Sequence, residues 1–349
     1  MRRAFVLGAF AFFLAVLTAL PSSQLRAQEA GRLGVEPWSE AVVSVAAFEP
    51  ATRLFRHAGG WRLVASGEMS RGELDYYRLP ASVTGAFERW CAPRAETGCI
   101  RFVRIDGAER QGPIRPAARA WDTGGIYSIM VRSDDVSALY DKALELGWWA
   151  ESPPIRFQFG ASDLRNVVLT GPHGIHLAVY ERITPEFTAF PLGPISQGFN
   201  AMRMVRDRAS ARDFYAEKLG FDRLFDSDRE PAEPAFSNFS IPYNLTPQIV
   251  RAAAALQPSL PGETGRVEVM QITGFTGRDH SARASLPNFG IVSVRYPVRD
   301  IGVYRAFLNA QGVELTYEAQ GVTVGTLGRL DMIAVRDPDG NLTEFYQAP

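Results

Sequence analysis

The sequence is poor in the residues that build most metal and nucleophile sites. Among its 349 residues, two are cysteines and four are histidines. Cys91 and Cys99 lack the paired histidine spacing of a zinc site. The histidines have no spacing typical of a Ser/His/Asp or Cys/His arrangement; they are His57, His173, His176 and His280. The sequence therefore indicates neither a structural zinc site nor a nucleophilic triad.

An excess of charge of either sign is also lacking. Lysine plus arginine number 37 against 38 aspartate plus glutamate, which gives a formal net charge of −1. A chain with this balance has no field that attracts nucleic acid or an anionic membrane surface. The hydrophobic fraction of 46% excludes a disordered chain. We therefore expect a globular protein without a nucleic-acid partner.

Long apolar runs are lacking beyond the N-terminus. Arg2 and Arg3 precede an apolar run over 4–20, and a polar segment then ends at Ala27. The run is shorter than the ~20 residues of a spanning helix. It predicts a cleaved signal peptide over 1–27, by the general or the twin-arginine route, and a periplasmic or secreted protein without stable membrane insertion.

Export would change the expected chemistry of the two cysteines. Cys91 and Cys99 are eight positions apart, around a segment rich in turn-forming residues. An oxidising compartment favours pairing of such cysteines. A local disulfide and a reactive thiol both remain open from the sequence.

One pattern recurs four times along the chain. Each copy has a β-rich stretch, an amphipathic helix that ends in glycine, and then further strands. Glycine after a last helical turn supplies the left-handed residue that ends the helix. The predicted terminators are Gly60, Gly147, Gly220 and Gly312. Each copy therefore predicts a βαβββ unit, and the fold class is α+β.

We predict that units consecutive in the chain are paired. The first module covers 28–183, a linker covers 184–198, and the second module covers 199–349 with an insertion over 227–263. The alanine-rich part of the insertion, 248–256, predicts a short helix. Long loops in compact domains are often lids, so we expect Tyr243 or Asn244 to contact a ligand.

Two segments carry a resemblance to a known family. They are 203–224, within the third unit, and 337–347, which reads DPDGNLTEFYQ. Both resemble the vicinal oxygen chelate superfamily, which includes glyoxalases, bleomycin resistance proteins and extradiol dioxygenases. The resemblance covers nearly all of the chain after the signal peptide. It implies two modules, each with two units that form a cupped sheet around one site.

The resemblance also implies where a site lies. In metal-dependent relatives, a histidine near the start of each first strand and a glutamate on each last strand hold one divalent ion. Here Glu268 and Glu344 match the glutamate positions, whereas Asn200 and Ser293 stand at the histidine positions. We predict Glu268 and Glu344 as catalytic residues. The predicted metal ligands are Glu268, Glu344 and Asn200, which favour Mg²⁺, Mn²⁺ or Ca²⁺ over Zn²⁺.

The resemblance favours two functions. The first is an exported glyoxalase-like or dioxygenase-like protein, a lyase or dioxygenase if it is an enzyme, that acts on a small organic molecule in the second module. The alternative is a metal-free binding or sequestering protein of the bleomycin resistance type. We predict Tyr243 and Tyr346 as substrate contacts. A scaffolding role is a third hypothesis. The sequence does not predict the oligomeric state.

Overall fold

The computed structural model describes residues 33–229, 233–258 and 263–347. The predicted signal peptide lies outside the described residues. No helix within these ranges is long and apolar enough to cross a membrane. The described chain contains the four predicted βαβββ units, with additional short elements in the first two.

The bounds of the helices and strands follow the units. Unit one contains β1 (Glu40–Ser44), α1 (Phe48–His57), β2 (Arg62–Glu68), α2 (Arg71–Tyr76), β3 (Thr84–Cys91) and β4 (Cys99–Asp106). Unit two contains β5 (Ile126–Arg132), α3 (Val136–Glu145), β6 (Trp149–Ala150), β7 (Ile155–Phe159), β8 (Ser162–Thr170) and β9 (His176–Thr184). Unit three contains β10 (Asn200–Met204), α4 (Arg208–Asp213) with a π-helical turn (Phe214–Lys218), β11 (Asp222–Arg229), β12 (Val250–Gln257) and β13 (Arg266–Thr273). Unit four contains β14 (Gly290–Pro297), α5 (Ile301–Ala310), β15 (Tyr317–Val324), β16 (Gly328–Arg336) and β17 (Leu342–Gln347).

Local sequence explains where the unit helices begin and end. An aspartate caps α3, α4 and α5, and its carboxylate accepts hydrogen bonds from backbone N–H groups of the first turn. The four predicted terminators all have positive φ, between 63° and 82°. The predicted glycine terminators are therefore confirmed. The capping aspartates are Asp135, Asp207 and Asp300.

The pairing of the units differs from the prediction. Sheet A has the strand order β15-β16-β17-β14-β1-β4-β3-β2, so it joins unit four to unit one. Sheet B has the order β11-β12-β13-β10-β5-β9-β8-β6, with β7 beside β8, so it joins unit three to unit two. The predicted pairing of consecutive units, which made 28–183 and 199–349 separate modules, is therefore wrong.

The first strands of the paired units meet at the centre of each sheet. β1 pairs with β14 antiparallel, with Glu40 opposite Arg295. β5 pairs with β10 in the same way, with Met130 opposite Asn200. The repeat pattern does not encode this choice, because all four first strands carry similar apolar runs. The last unit in the chain therefore returns to the first, and the two middle units pair with each other.

Alternate residues of each sheet face two different environments. One face of both sheets contributes to a single core between them, which includes Val43, Ile129 and Val294. The opposite face of sheet A carries a second cluster with Val42 and Met332, and we call this face cup A. The opposite face of sheet B carries a third cluster with Met130, Met202 and Met270, called cup B here.

The structure overturns one local prediction and decides between the two alternatives for the cysteines. The segment predicted as a helix over 248–256 is largely β12, which pairs with β11 and β13. Burial between two strands overrides the helix propensity of its alanines. Cys91 and Cys99 form a disulfide with an S–S distance of 1.99 Å, which joins the end of β3 to the start of β4.

Candidate functional site

Cup B contains a cavity of about 360 Å³. A volume of this size suits a small organic ligand. The cavity lies against β5, against β7 to β13 and against the segment that follows β11. Its walls are mainly apolar and aromatic, with contributions from Met130, Phe157, Tyr180, Phe199, Phe239 and Met270.

Glu268 is the acidic residue of this cavity wall. It lies near the start of β13, two residues before Met270 on the same face of the strand. Burial raises the pKa of Glu268 to about 7, although a hydrogen bond from Asn200 acts in the opposite direction. A carboxyl group with a pKa near neutrality can both accept and donate a proton at physiological pH. Glu268 is thus suited to proton transfer.

Asn200 supports Glu268 from the neighbouring strand. It is the first residue of β10, and its Nδ2 donates a hydrogen bond of 3.2 Å to Oε2 of Glu268. Its Oδ1 is buried and has no hydrogen-bond partner among the described residues. A buried amide oxygen without a partner is costly, and a ligand hydroxyl or amine in the cavity would satisfy it.

The raised pKa of Glu268 links the stability of the fold to pH. The carboxyl has an ordinary pKa of 4.5 when unfolded and about 7 when folded, so native stability falls as pH rises between these values. The Glu268→Gln variant lacks this loss. As pH rises from about 4 to about 8, its free energy of unfolding should therefore increase relative to that of the wild type by up to about 3 kcal/mol. Chemical denaturation across this range measures the difference, with Glu318→Gln as an exposed control. A pH-independent difference would contradict the assigned pKa.

A segment after β11 covers part of cup B. Asn238 Nδ2 donates a hydrogen bond of 2.7 Å to Oδ1 of Asn166 on β8. Phe239 lies 6.3 Å from the ring of Tyr127, and both Asn238 and Phe239 line the cavity. Asn238 and Phe239 are thus the described residues between β11 and β12, within the predicted insertion, that line the cavity. Tyr243 is 51% exposed and does not line the cavity.

Cup A holds a buried ion-pair network instead. Arg295 on β14 donates from Nε to Glu344 at 3.0 Å, from Nη1 to Glu40 at 2.9 Å and from Nη2 to Glu73 at 3.1 Å. The hydroxyl of Tyr77 accepts from Nη2 of Arg295 at 2.7 Å and donates to Glu344 at 2.8 Å. All three carboxylates are fully buried.

Two further arginines balance the charge of the network. Arg101 pairs with Glu73 at 2.9 Å, and Arg89 pairs with Glu40 at 2.8 Å. Burial alone raises the pKa of Glu40, but the charges of Arg295, Arg101 and Arg89 outweigh it and lower that pKa overall. Three arginines thus face three glutamates, and each charge has a partner. Cup A is filled by its own side chains.

The structure separates the predicted catalytic residues. Glu268 and Asn200 lie in cup B, whereas Glu344 lies in cup A with Arg295, Ser293 and Tyr77. The prediction of one site with Glu268, Glu344 and Asn200 assumed that units three and four share a sheet, and it is corrected together with that pairing. Tyr346 is 5% exposed and packs in the cluster of cup A, away from the cavity.

The donor sets of both cups fit a divalent metal poorly. In cup A, the guanidinium of Arg295 already occupies the glutamate oxygens that a cation would need. Cup B offers one carboxylate and two amides, and four arginines share the cavity wall; they are Arg132, Arg182, Arg251 and Arg266. Within the described ranges no group of three or more His, Cys, Asp or Glu residues is arranged for a metal. We derive no chemistry through a metal here.

The histidines do not change this conclusion. Nδ1 of His176 lies 3.0 Å from the carbonyl oxygen of Tyr127, and burial lowers the pKa of His176 to about 3. Nε2 of His280 lies 3.3 Å from a carboxylate oxygen of Asp122. Neither His176 nor His280 lines the cavity. These two imidazoles have structural partners of their own.

Sequence reasoning missed the basic residues of cup B. Arg132 ends β5, two residues after Met130, and Arg182 follows Tyr180 by two residues on β9. The period of two places each arginine on the cup face of its strand. This signal was present in the sequence, but it points to the cavity only when unit two is paired with unit three.

Comparisons with known proteins agree with the fold. The model of the glyoxalase/bleomycin resistance protein/dioxygenase superfamily matches residues 200–345. Glyoxalase I from Zea mays superposes with a TM-score of 0.60 at 12% identity, over 92% of this chain and 95% of that one. A Bacillus subtilis protein provisionally assigned as a dioxygenase superposes with a TM-score of 0.56 at 14% identity, over 91% and 86%. No curated protein matches the chain.

These matches bear on different parts of the resemblance. The family model covers most of units three and four, which lie in different sheets. The solved structures share the fold over nearly the whole chain, and at this identity they show the fold alone. The predicted resemblance is therefore confirmed for residues 200–345, which match the glyoxalase/bleomycin resistance protein/dioxygenase superfamily, and nearly the whole chain shares its fold with glyoxalase I.

Proposed function

We propose that this protein is a glyoxalase-like enzyme that moves a proton on a small organic molecule bound in cup B, with Glu268 as the proton-transfer group. The carrying observation is Glu268 itself: a carboxyl with a pKa of about 7 on the wall of a 360 Å³ cavity. An acid or base works best when its pKa is close to the working pH. Asn200 holds the carboxyl and offers its own oxygen to a ligand.

The proposed step needs no metal ligand. Ionised Glu268 removes a proton from a carbon next to a carbonyl, and the protonated carboxyl returns a proton to the same or a neighbouring atom. The electron pair of the broken C–H bond rests in the carbonyl as an enolate, and no oxidant is consumed. The apolar walls exclude water from this exchange.

Deuterium exchange tests the proposal before a natural substrate is known. We expect the protein to accelerate exchange at the carbon next to the ketone of acetylbenzoyl, a neutral dicarbonyl, and of benzylpyruvate, a keto acid. The rate, followed by proton NMR in heavy water, should rise with pH and level off above about pH 7, because only ionised Glu268 acts as the base. A rate equal to the uncatalysed one with both compounds, although they bind, would favour the metal-free binding protein instead.

We also propose export to the periplasm or outside the cell. The disulfide between Cys91 and Cys99 supports this, since such bonds persist in oxidising compartments. N-terminal sequencing of the protein from an envelope fraction tests it. A new N-terminus close to Gln28 is the expected result, and an intact N-terminus in the cytosol would contradict export.

A further inference from the structure

We propose that the ligand of cup B is an organic carboxylate with an apolar or aromatic body, and that Arg132 and Arg182 bind its headgroup. The inference rests on the proposed function in one respect, since both place the ligand in the same cavity. It concerns binding, whereas the proposed function concerns proton transfer at Glu268. The two are therefore tested by different measurements.

Arg132 is a buried arginine whose Nε donor lacks a partner among the described residues. The side chain lines the cavity, and the residue is 6% exposed. Its guanidinium carbon lies 4.2 Å from the ring centroid of Phe187 and 4.4 Å from that of Phe199. The Nε atom is buried, and no hydrogen-bond partner for it exists in the part of the chain that the structure describes. Aromatic rings thus pack around the guanidinium without satisfying its N–H groups.

The positive charge at this end of the cavity lacks a counter-ion. Among residues 33–229, 233–258 and 263–347, no carboxylate lies within 4.0 Å of Arg132 or Arg182. The carboxylate of Glu263 acts on Arg132 at longer range and pairs with Arg266 at 3.2 Å. Burial, followed by the charge of Arg182, lowers the pKa of Arg132 to about 10, so the side chain stays charged at neutral pH. A ligand anion would supply the missing charge.

The two cups differ in how buried arginine is compensated. In cup A, Arg295 has three carboxylates at 2.9–3.1 Å. In cup B, Arg132 has aromatic rings and a second arginine as neighbours. A carboxylate matches the planar donor edge of a guanidinium with two parallel hydrogen bonds. In cup A the chain's own glutamates thus neutralise the buried arginine, whereas in cup B a bound ligand would supply the anion.

The rest of the cavity defines the body of the ligand. Tyr180 lines the same cavity as Glu268 and Arg132. Burial and the charge of Glu268 raise the pKa of its hydroxyl, and the charge of Arg132 lowers it. Met130, Phe199 and Met270 provide apolar walls. A carboxylate bound by the arginines would therefore place the apolar body of the ligand in the cavity that Glu268 also lines.

Calorimetric titration of the full chain tests this proposal. The probes are phenylacetate and hydrocinnamate, with phenylacetamide and hydrocinnamamide as uncharged controls of nearly the same shape. We expect the carboxylates to bind at least tenfold more tightly than the amides. Arg132→Gln and Arg182→Gln should each weaken carboxylate binding about tenfold to a hundredfold and leave amide binding unchanged. Arg305→Gln, which removes an exposed arginine of α5, is the matched control.

Two results of the titration would overturn the proposal. One is equal affinity of the wild type for acids and amides; the other is unchanged carboxylate affinity in both arginine variants. Thermal unfolding separates a binding role from a structural one: Arg132→Met should raise the midpoint because it removes a buried charge without a partner. A lowered midpoint in both Arg132→Met and Arg132→Gln would make Arg132 structural and overturn its assignment. The Glu268→Gln variant should still bind the carboxylates. Failure of the proposed proton transfer would therefore not affect this binding test.

Discussion

The Glu268→Gln variant should slow deuterium exchange of acetylbenzoyl and benzylpyruvate by about 10²- to 10⁴-fold, which is the usual contribution of a positioned general base. Glutamine keeps the size of the side chain and its hydrogen-bonding capacity toward Asn200, but it cannot accept the proton. Binding of phenylacetate should change little, because the proposed contacts of its headgroup are Arg132 and Arg182 and not Glu268. The effect is therefore expected in the rate of exchange and not in affinity.

The pH profile separates this role from general damage to the site. Wild-type exchange should follow ionisation of a group with a pKa near 7, the value assigned to Glu268. The residual exchange of the variant should lack that inflection. Glu318→Gln, an exposed residue of sheet A that pairs with Arg305, is the control and should leave the rate unchanged. A Glu268→Gln variant with the wild-type rate and profile would show that another group moves the proton.

The Arg295→Met variant should lose about 3–5 kcal/mol of folding free energy, the range found when one partner of a buried ion pair is removed. Arg295 contacts Glu40, Glu73 and Glu344, and all four residues are fully buried. Methionine fills a similar volume but leaves these carboxylates without their shared cation. Arg101 and Arg89 then compensate only part of the charge.

Denaturant unfolding measures this loss. Arg305→Met, whose ion pair with Glu318 is exposed, should cost no more than about 1 kcal/mol. The pKa of Glu40 is lowered in the fold, so its contribution is present above its ordinary pKa and is lost as pH falls through the folded value. The cost of Arg295→Met should therefore shrink at acidic pH. Equal, small losses for Arg295→Met and Arg305→Met would contradict the role of the network.

The sequence predicts the units of this fold well because each unit is locally encoded. Glycine after a helix and aspartate before it act within one turn; the glycines lie where the sequence predicts them, and aspartates cap three of the four unit helices. The pairing of units depends instead on contacts between residues far apart in the chain, such as Glu40 with Arg295. No local pattern distinguishes that pair from the alternatives.

The error in pairing explains which site residues were predicted and which were missed. Glu268 and Asn200 belong to one unit, so they are correctly brought together by the resemblance. Glu344 matches the same motif position, yet its partners are Arg295 and Tyr77 in cup A. Arg132 reaches the cavity from unit two, which the sequence analysis assigned to the other module. A motif gives the position of a residue in its unit, and the partner unit decides what that residue faces.

The central claim is that cup B is the working site and that Glu268 titrates there near neutrality. Methionine-methyl NMR tests it directly, because Met130 and Met270 line the cavity while Met69 and Met332 belong to the cluster of cup A. As pH rises through about 7, the methyl signals of Met130 and Met270 should shift with one inflection that is absent from Glu268→Gln, and those of Met69 and Met332 should not. Phenylacetate should perturb the same pair. Shifts confined to the methionines of cup A, or no inflection near neutrality, would contradict the account.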